Sequence, residues 1–407
     1  MKKTSPLLPI FITVFIDMLG VGIIIPVFAP LIIRNDHGML AAFSREETRN
    51  LIYGLLTATF PFFQFFGAPV LGALSDVFGR KRILQISLVG TLTGYILFAS
   101  AISFQSLGLL FLARAIPGFM GGNISIVMAA MADISAPSDR AKNFGLIGMA
   151  FGLGFILGPF LGGVLSSKEV YSGFTYATPL WFTALLTLLN IYFVHTQFPD
   201  LKPPIRSAKK GSVFTGFRNL RRALEMVKLR TIFTTLFLYS LGFSFFMQFF
   251  QVFLIRKFNF SQKEIGLFFG YLGLWIAFSQ GVITRYLSGR YRSEQILRVS
   301  LIGLSIALFC VIIPENFFWL LLIQPFVAIF QGLSMPNTTG LVSNLASADE
   351  QGEILGIQQS IQSVAFTIPP LVAGVVVSID YRLPILLGSV LIFIAWMYFS
   401  IRYKSSS

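Results

Sequence analysis

The sequence predicts an all-α membrane protein with twelve transmembrane helices in two halves of six. Three features predict this class: a low charge content, twelve long apolar runs, and one long basic segment in the middle of the chain. Of the 407 residues, 55% are hydrophobic and 12% are charged, whereas a soluble domain carries about 25% charged residues. This composition cannot cover a water-exposed surface, so lipid must be the solvent of most outward-facing side chains.

Each of the twelve runs approaches or exceeds the roughly 20 apolar residues that a bilayer-spanning helix needs. The predicted spans are 7–33, 51–74, 83–103, 107–131, 143–165, 175–198, 231–254, 264–287, 296–313, 317–345, 354–378 and 383–402. The first run is longer than the apolar region of a secretion leader and contains Asp17. We therefore expect it to remain as span 1 rather than to be cleaved.

The distribution of basic residues predicts the orientation of the chain. Of 31 Lys and Arg residues, 22 fall on segments predicted to be cytoplasmic, eight on predicted outer loops and one, Arg114, inside a span. The positive-inside rule then places both termini in the cytoplasm. This bias also accounts for the net charge of +14 without a nucleic-acid partner. We expect the partners to be the bilayer and a small-molecule substrate, and the chain to be a monomer.

The longest loop, 199–230, carries nine of the cations and divides the spans six and six. The predicted organisation is a six-helix bundle over 1–198, a cytoplasmic basic linker over 199–230 and a second six-helix bundle over 231–407, as in membrane proteins built from internal repeats. Four linker arginines are predicted to lie on an amphipathic helix near anionic headgroups: Arg218, Arg221, Arg222 and Arg230. A regulatory partner site on the linker is the alternative.

A charged turn joins spans 2 and 3 and reads GALSDVFGRKR over residues 72–82. Its predicted hinge residues are Gly72, Asp76, Gly79, Arg80, Lys81 and Arg82. Gly72 is expected to let a neighbouring helix approach closely, and Asp76 to accept a hydrogen bond from Arg80 and face a helix N-terminus. At every fixed position the block resembles the loop motif of the major facilitator superfamily (MFS). The resemblance implies the MFS fold and a latch between two pseudo-symmetric bundles in one state of a transport cycle.

Span 1 carries a second motif, Asp17-Met-Leu-Gly20-Val-Gly22 followed by Pro26 and Pro30. It resembles the tetracycline-efflux branch of the drug:proton antiporters. Segments at 112–118, 133–145 and 351–356 resemble further motifs of the same superfamily.

Span 5 is rich in glycine and resembles the motif described for MFS exporters, which implies outward transport. Its motif residues begin with Gly145, and its predicted hinge residues are Gly154, Gly158, Pro159, Gly162 and Gly163. Glycines at four-residue intervals make a smooth face for close helix packing, and proline can kink the helix. Ordinary small-residue packing, with no information on direction, is the alternative.

Two charges lie deep inside predicted spans: Asp17 in span 1 and Arg114 in span 4. A lone charge at mid-membrane costs roughly 2.5–3.5 kcal/mol on insertion scales, so the two are predicted to pair or to face water. Burial favours the neutral form of a carboxyl group and a nearby arginine favours its charged form. The hypothesis is therefore that Asp17 and Arg114 couple protonation to conformational change, and the alternative is a permanent structural salt bridge.

Uncharged polar and aromatic residues recur on single faces of several spans and predict a wet ligand cavity. The predicted ligand contacts are Gln64, Ser244, Gln248, Gln251, Tyr271, Trp275, Gln324, Gln331, Asn337 and Gln362. Hydrogen bonding between neighbouring helices is the alternative for each of them.

The sequence offers no set of catalytic residues, no phosphate-binding Gly-x-x-x-x-Gly-Lys loop and no histidine beside a ligand cluster. We expect no enzyme activity, no metal and no cofactor, with the proton gradient as the driving force. By resemblance the expected function is proton-coupled export of small amphipathic organic molecules (drugs, siderophores or metabolites) across a bacterial inner membrane. The alternatives are an uptake symporter and a membrane receptor or scaffold that does not transport.

Predicted spans 3 and 7–12 lack Asp and Glu in their interiors. Tetracycline exporters carry acids there, so this difference argues against tetracycline and against metal-chelated substrates.

Overall fold

The computed structural model describes residues 7–34, 38–40, 45–135, 140–198, 214–344 and 351–403. Every regular element within these ranges is helical. The α-helices are α1 Leu7–Ala29, α2 Glu46–Phe78, α3 Arg80–Ser103, α4 Leu107–Met120, α5 Asn123–Ile134, α6 Arg140–Ser166, α7 Thr178–Gln197, α8 Thr215–Glu225, α9 Val227–Phe258, α10 Gln262–Phe278, α11 Arg285–Ser288, α12 Ser293–Val311, α13 Phe317–Asn344, α14 Gln351–Val376 and α15 Leu383–Arg402. Two π-helical segments, Pro30–Arg34 and Ser279–Thr284, extend α1 and α10.

Twelve candidate membrane spans lie within the described residues, which confirms the predicted number. α4 and α5 together form the fourth span, Leu107–Met131, and α10 with α11 forms the eighth, Gln262–Ser288. The second span is longer than predicted, since it runs from Glu46 to Phe78 and includes the first part of the charged turn.

Two short breaks in the helices contain glycine. α2 ends at Phe78, and Gly79 turns the chain with φ +94° before α3 begins. A positive φ of this kind is cheap for glycine and strained for other residues. The fourth span is interrupted between Met120 and Asn123, where Gly121 and Gly122 separate α4 from α5.

The chain forms two compact units. Unit 1 comprises residues 1–44, 59–215 and 261–270, and unit 2 comprises 45–58, 216–260 and 271–407. The start of α2 therefore belongs to unit 2 and the start of α10 to unit 1. The division of the chain at a linker over 199–230 remains a prediction.

The described part of the linker contains α8, an amphipathic helix as predicted. Gly216 and Ala223 are buried, and the Asn219 side chain donates to Ser360 Oγ at 2.9 Å. Arg221 pairs with Glu225 at 2.8 Å, and this hydrogen bond raises the pKa of Arg221. Four apolar side chains of this region are exposed together with the arginines of α8: Phe214, Phe217, Leu224 and Val227. Placing Arg230 on the same helix was wrong, because α8 ends at Glu225 and Arg230 lies on α9. The rest of the linker, 199–213, lies outside the described residues.

Candidate functional site

Asp17 is bound by an asparagine that the sequence pattern did not select. The Asp17 carboxylate on α1 is 7% exposed, and its Oδ2 accepts a hydrogen bond from Asn123 Nδ2 at 2.5 Å. Asn123 Oδ1 accepts from the Ile124 backbone N–H at 3.1 Å. That second bond fixes the orientation of the amide, so its nitrogen donor faces Asp17. The buried carboxylate of the first span is thereby bound to the first residue after the break in the fourth span.

Arg114 lies among aromatic rings. Its guanidinium carbon is 5.0 Å from the centre of the Phe60 ring and 5.5 Å from that of Phe28, within the range of cation–π attraction. Among the ion pairs of the described residues, none joins Asp17 to Arg114. The predicted direct pair is therefore not formed in this conformation, because Asn123 binds the carboxylate and the rings contact the guanidinium.

Tyr95 on α3 lies near both charges, Asp17 and Arg114, and within electrostatic range of each. Its hydroxyl packs directly against Gly20, one helical turn after Asp17. A side chain at position 20 would collide with this hydroxyl, so the glycine creates the space that Tyr95 fills.

The hinge turn is built around Arg80, whose side chain is only 10% exposed. Arg80 Nη1 lies 2.5 Å from Asp76 Oδ1, and Nε lies 3.2 Å from Asp133 Oδ2. Nη1 also donates to Ser75 Oγ at 2.6 Å. The sequence pattern paired Arg80 with Asp76 but missed Asp133, which α5 brings to the other side of the guanidinium. Of the two other predicted hinge cations, Lys81 is half-buried and Arg82 is exposed.

The expectation that Gly72 allows a close helix contact was wrong for this conformation. A Cβ added at Gly72 would meet its nearest neighbour, Ser125 Oγ, at 3.9 Å, which is an ordinary contact. The close approaches in α2 occur instead at Gly54, where a Cβ would lie 3.1 Å from the Cα of Gly374 on α14, and at Gly67, where it would lie 2.7 Å from the Cα of Phe119 on α4.

The glycine face of α6 packs against α1, the helix that carries Asp17. A Cβ would lie 2.6 Å from Phe15 O if added at Gly154, and 2.5 Å from Leu19 O if added at Gly158. At Gly162 it would lie 2.9 Å from Pro26 Cγ. No real Cβ tolerates such distances from a backbone, so this face admits only glycine while the two helices are in contact.

Pro159 and Gly163 of the same motif make two further contacts. Pro159 lies against Gly22 of α1, where an added Cβ would be 2.7 Å from the proline Cδ. A Cβ on Gly163 would lie 2.8 Å from the Cα of Gly266 on α10. The motif therefore packs two of its faces against two different helices of unit 1.

The predicted ligand contacts are divided between the units, with Gln64 in unit 1 and the other nine in unit 2. Gln64 Nε2 donates to the backbone oxygen of Gly121 at 3.1 Å. Its partner thus lies at the break between α4 and α5, two residues before Asn123.

Two of the predicted contacts in unit 2 bind carbonyl groups that prolines leave free. Proline has no N–H, so the carbonyl four residues before it loses its helical partner. Pro370 frees the oxygen of Phe366, which accepts from Gln248 Nε2 at 3.1 Å. Pro325 frees the oxygen of Leu321, which accepts from the Tyr271 hydroxyl at 3.1 Å. In this conformation, hydrogen bonding between helices therefore explains the presence of polar side chains at Gln248 and Tyr271.

Most of the remaining predicted contacts also have protein partners. Gln251 Nε2 donates to the Tyr53 hydroxyl at 2.8 Å, and the Tyr239 hydroxyl donates to Gln331 Oε1 at 2.7 Å. The other pairs are Ser244 with Gln248, Asn337 with Leu333 O, Gln362 with Met335 Sδ, and Trp275 edge-to-face on Tyr271.

Gln324 differs from this group. It is fully buried on α13, and neither its amide nitrogen nor its amide oxygen has a hydrogen-bond partner among the described residues. Buried polar atoms are nearly always bonded, and an exception calls for an explanation such as a ligand, a water or a second state. Gln324 is therefore the strongest candidate ligand contact in unit 2.

The sequence pattern also missed a polar network at one end of unit 2. Arg256, at the end of α9, pairs with Glu46 at the start of α2 and donates to Asn50 Oδ1 at 3.1 Å. Asn50 Nδ2 in turn donates to Ser378 Oγ at 2.9 Å. The network fixes the first turns of α2 to α9 and to the turn after α14.

The described residues contain twelve membrane-length helices, with a buried carboxylate in the first and an Asp–Arg turn after the second. These are features of secondary transporters. The sequence profile of the Major Facilitator Superfamily matches residues 10–317 and 286–407. The chain belongs to this superfamily and is one of its transporters, which confirms the predicted family and fold.

Relatives from two groups match most of the chain. The tetracycline resistance protein, class C, of Escherichia coli is 26% identical over 372 residues, covering 91% of this chain and 89% of the relative. Major facilitator superfamily domain-containing protein 10 of Bos taurus is 31% identical over 350 residues, covering 80% and 72%.

Solved structures share the fold. The crystal structure of the human organic anion transporter MFSD10 (TETRAN) aligns with a TM-score of 0.75 at 22% identity, covering 96% of this chain and 98% of that one. The xylose transporter XylE from E. coli, in a partially occluded inward-open conformation, aligns with a TM-score of 0.76 at 12% identity, covering 99% of each chain. At these identities the likeness concerns the fold alone.

Proposed function

We propose that this transporter exports small amphipathic organic molecules in exchange for protons. The observation that carries the proposal is the buried Asp17, bound to Asn123 at the break in the fourth span. The resemblance to tetracycline resistance proteins over most of the chain supports the direction. We further propose that the chain lies in a bacterial inner membrane with both termini in the cytoplasm, acts as a monomer and needs no cofactor besides the proton gradient.

The geometry around Asp17 suggests how a proton changes the protein. The Asn123 nitrogen is held as a donor, so it needs an acceptor oxygen on Asp17. A proton on the carboxyl group removes its negative charge and adds a donor, so the hydrogen bond from Asn123 becomes weaker. Protonation therefore weakens the connection between α1 and the start of α5, next to Gly121 and Gly122. We propose that this weakening is the coupling step, and that Arg114, which like Asp17 lies within electrostatic range of Tyr95, takes part in it.

The ligand class follows from the charges of the predicted contacts. Its ten members are uncharged, and unit 2 contributes glutamine, serine and aromatic side chains to it. A dication would lose its hydration without gaining a carboxylate partner, which is unfavourable. Neutral, zwitterionic or singly anionic amphipaths can accept from and donate to glutamines. The description of the MFSD10 structure as that of an organic anion transporter supports this class.

Transport in lipid vesicles tests the proposal, whichever way the protein inserts. The probes are 2-naphthalenesulfonate, a permanently singly charged anion that a pH gradient does not move by itself, and methyl viologen, a dication. Antiport predicts that 2-naphthalenesulfonate accumulates when the lumen is acidic, because protons leave as the probe enters. Symport, the second candidate, predicts accumulation when the outside is acidic. A receptor or scaffold predicts no accumulation in either case.

Asp17→Asn tests the coupling residue. We expect it to abolish gradient-driven accumulation while exchange of probe between equal pH values persists, since the amide keeps the size but cannot titrate. Glu169→Gln is the matched control, because Glu169 is an exposed carboxylate in the loop before α7, and it should transport normally. Gradient-driven transport by Asp17→Asn at the wild-type level would end the assignment of Asp17 as the proton carrier.

A further inference from the structure

We propose that a groove on the lipid-facing side of α3 and α7 binds one anionic phospholipid, a site independent of the transported substrate. The groove has a volume of about 410 Å³ and is lined by Gln85, Leu188, Leu189, Ile191, Tyr192 and His195. Its volume falls within the roughly 300–1,000 Å³ typical of sites for organic ligands. Both helices are membrane spans, so the molecules that reach the groove are lipids.

One end of the groove is polar and lies at the membrane boundary. Gln85 follows the start of α3 by five residues, and His195 precedes the end of α7 by two. Gln85 Nε2 lies 3.2 Å from His195 Nδ1. With the glutamine nitrogen as donor, Nδ1 accepts and the ring proton resides on Nε2. The exposed His195 ring thus presents an N–H donor at the level of lipid phosphates.

The charges around this end favour an anionic headgroup. Arg82 lies three residues before Gln85, hence on the same side of α3, and it is exposed. Lys81 adds a second cation beside it. The groove lining contains no carboxylate, and nearby Asp76 and Asp133 are engaged with Arg80.

The other end of the groove is apolar and points deeper into the membrane. Leu188 precedes His195 by seven residues, which is about 10 Å along the helix axis. Leu188, Leu189 and Tyr192 are 53%, 46% and 64% exposed, so the apolar surface is open for an acyl chain to lie along α7. Tyrosine is also a residue enriched at membrane–water boundaries.

A second lipid-facing groove provides an internal comparison. It lies between α12 and α15, has a volume of about 250 Å³ and contains Ser305, Ile306, Phe309, Ser389, Val390 and Phe393. Its two serines are buried and bond to each other's backbone oxygens at 2.9 and 2.8 Å. Since both serine hydroxyls are engaged with each other's backbone, this lining presents no free polar group to a headgroup, and we expect it to contact lipid without selecting one.

The test is native mass spectrometry of the purified protein after incubation with equal amounts of palmitoyl-oleoyl phosphatidylglycerol and phosphatidylcholine. We expect one retained phosphatidylglycerol, preferred about fivefold for each cation at the polar end. Leu189→Trp fills the groove and should lose this lipid, whereas Ile306→Trp, the matched change in the second groove, should keep it. His195→Leu, an exposed position that should fold normally, removes a donor to the lipid phosphate and should lower the retention of phosphatidylglycerol.

Three outcomes would overturn the proposal. Equal retention by Leu189→Trp and Ile306→Trp would place the lipid elsewhere. Equal retention of the two lipids by the wild type would mean that the groove does not select an anionic headgroup. An unchanged retention of phosphatidylglycerol in His195→Leu would remove the polar end from the site, and this outcome decides the matter even if Leu189→Trp fails to fold.

Discussion

The proline-freed carbonyl of Leu321 gives a quantitative test of what Tyr271 does. Tyr271→Phe keeps the ring against Trp275 but removes the only hydroxyl hydrogen, so Leu321 O loses its donor. A buried acceptor left unpaired costs about 1–3 kcal/mol, while hydrogen bonds between membrane helices measure about 0.6 kcal/mol on average and up to about 1.7. The values for membrane helices apply here. Because Pro325 has no N–H to replace the lost donor, we expect a cost in the upper half of that range. We expect a loss of about 1–1.5 kcal/mol in the free energy of unfolding.

The proline provides the control for this prediction. In a Pro325→Ala background the new N–H of residue 325 bonds Leu321 O, so the Tyr271 hydroxyl becomes dispensable. Tyr271→Phe should then cost no more than about 0.3 kcal/mol, a difference that exceeds the usual additivity error of about 0.3–0.5 kcal/mol. Tyr286→Phe should be neutral, because Tyr286 is 57% exposed and retains its ring against Arg290. Unfolding by sodium dodecyl sulfate in mixed micelles, followed by circular dichroism, gives the free energies of the wild type and the four variants.

An additive cycle would refute the reasoning. If Tyr271→Phe costs the same with proline and with alanine at 325, the hydroxyl does not serve the freed carbonyl. A variant of unchanged stability and reduced ligand affinity would instead support Tyr271 as a direct ligand contact.

Two further predictions concern unit 1. Gly158→Leu should abolish folded, monodisperse protein in gel filtration, because its Cβ would lie 2.5 Å from Leu19 O. Gly152→Leu on the same helix, where an added Cβ has nothing within 4 Å, should be tolerated. Equal yields of the two variants would show that α1 and α6 are not in close contact. Arg80→Gln should lower the melting temperature more than Asp76→Asn does. The reason is that the Arg80 side chain is 10% exposed and paired with two carboxylates, while the Asp76 side chain is 55% exposed. The reverse order would contradict the central place of Arg80 in the turn.

The periodicity of the sequence could not identify the polar partners that lie far apart along the chain. The 3.6-residue repeat tells which residues share a helix face, but not which helix that face meets. Asp17 was recognised as a buried charge because charge is costly in lipid wherever it lies. Its partner Asn123 is 106 positions away, at the start of α5, where the fourth span resumes after Gly121 and Gly122. A search for polar residues beside Gly-Gly breaks within spans would have selected Asn123.

The same limit explains the polar residues of unit 2. The sequence showed both Pro325 and Pro370 and therefore two freed carbonyls, yet the donors Tyr271 and Gln248 lie 50 and 118 positions away from those carbonyls. Donors of this kind resemble ligand contacts in a sequence, since both are uncharged polar groups on an otherwise apolar helix. Only the packing separates Gln324, which has no bonded partner among the described residues, from its neighbours.

The sequence by itself determined the number of spans, the sharp turn at Gly79 and the glycine face of α6. These features depend on quantities local to the chain: apolar length against bilayer thickness, a positive φ and the size of side chains at four-residue spacing. Only the tertiary structure decided that Asn123 rather than Arg114 binds Asp17, that Asp133 joins Arg80, and that close packing in α2 occurs at Gly54 and Gly67 rather than Gly72. Those contacts depend on the rotation and depth at which one helix meets another, and both are set by the packing of all the helices together.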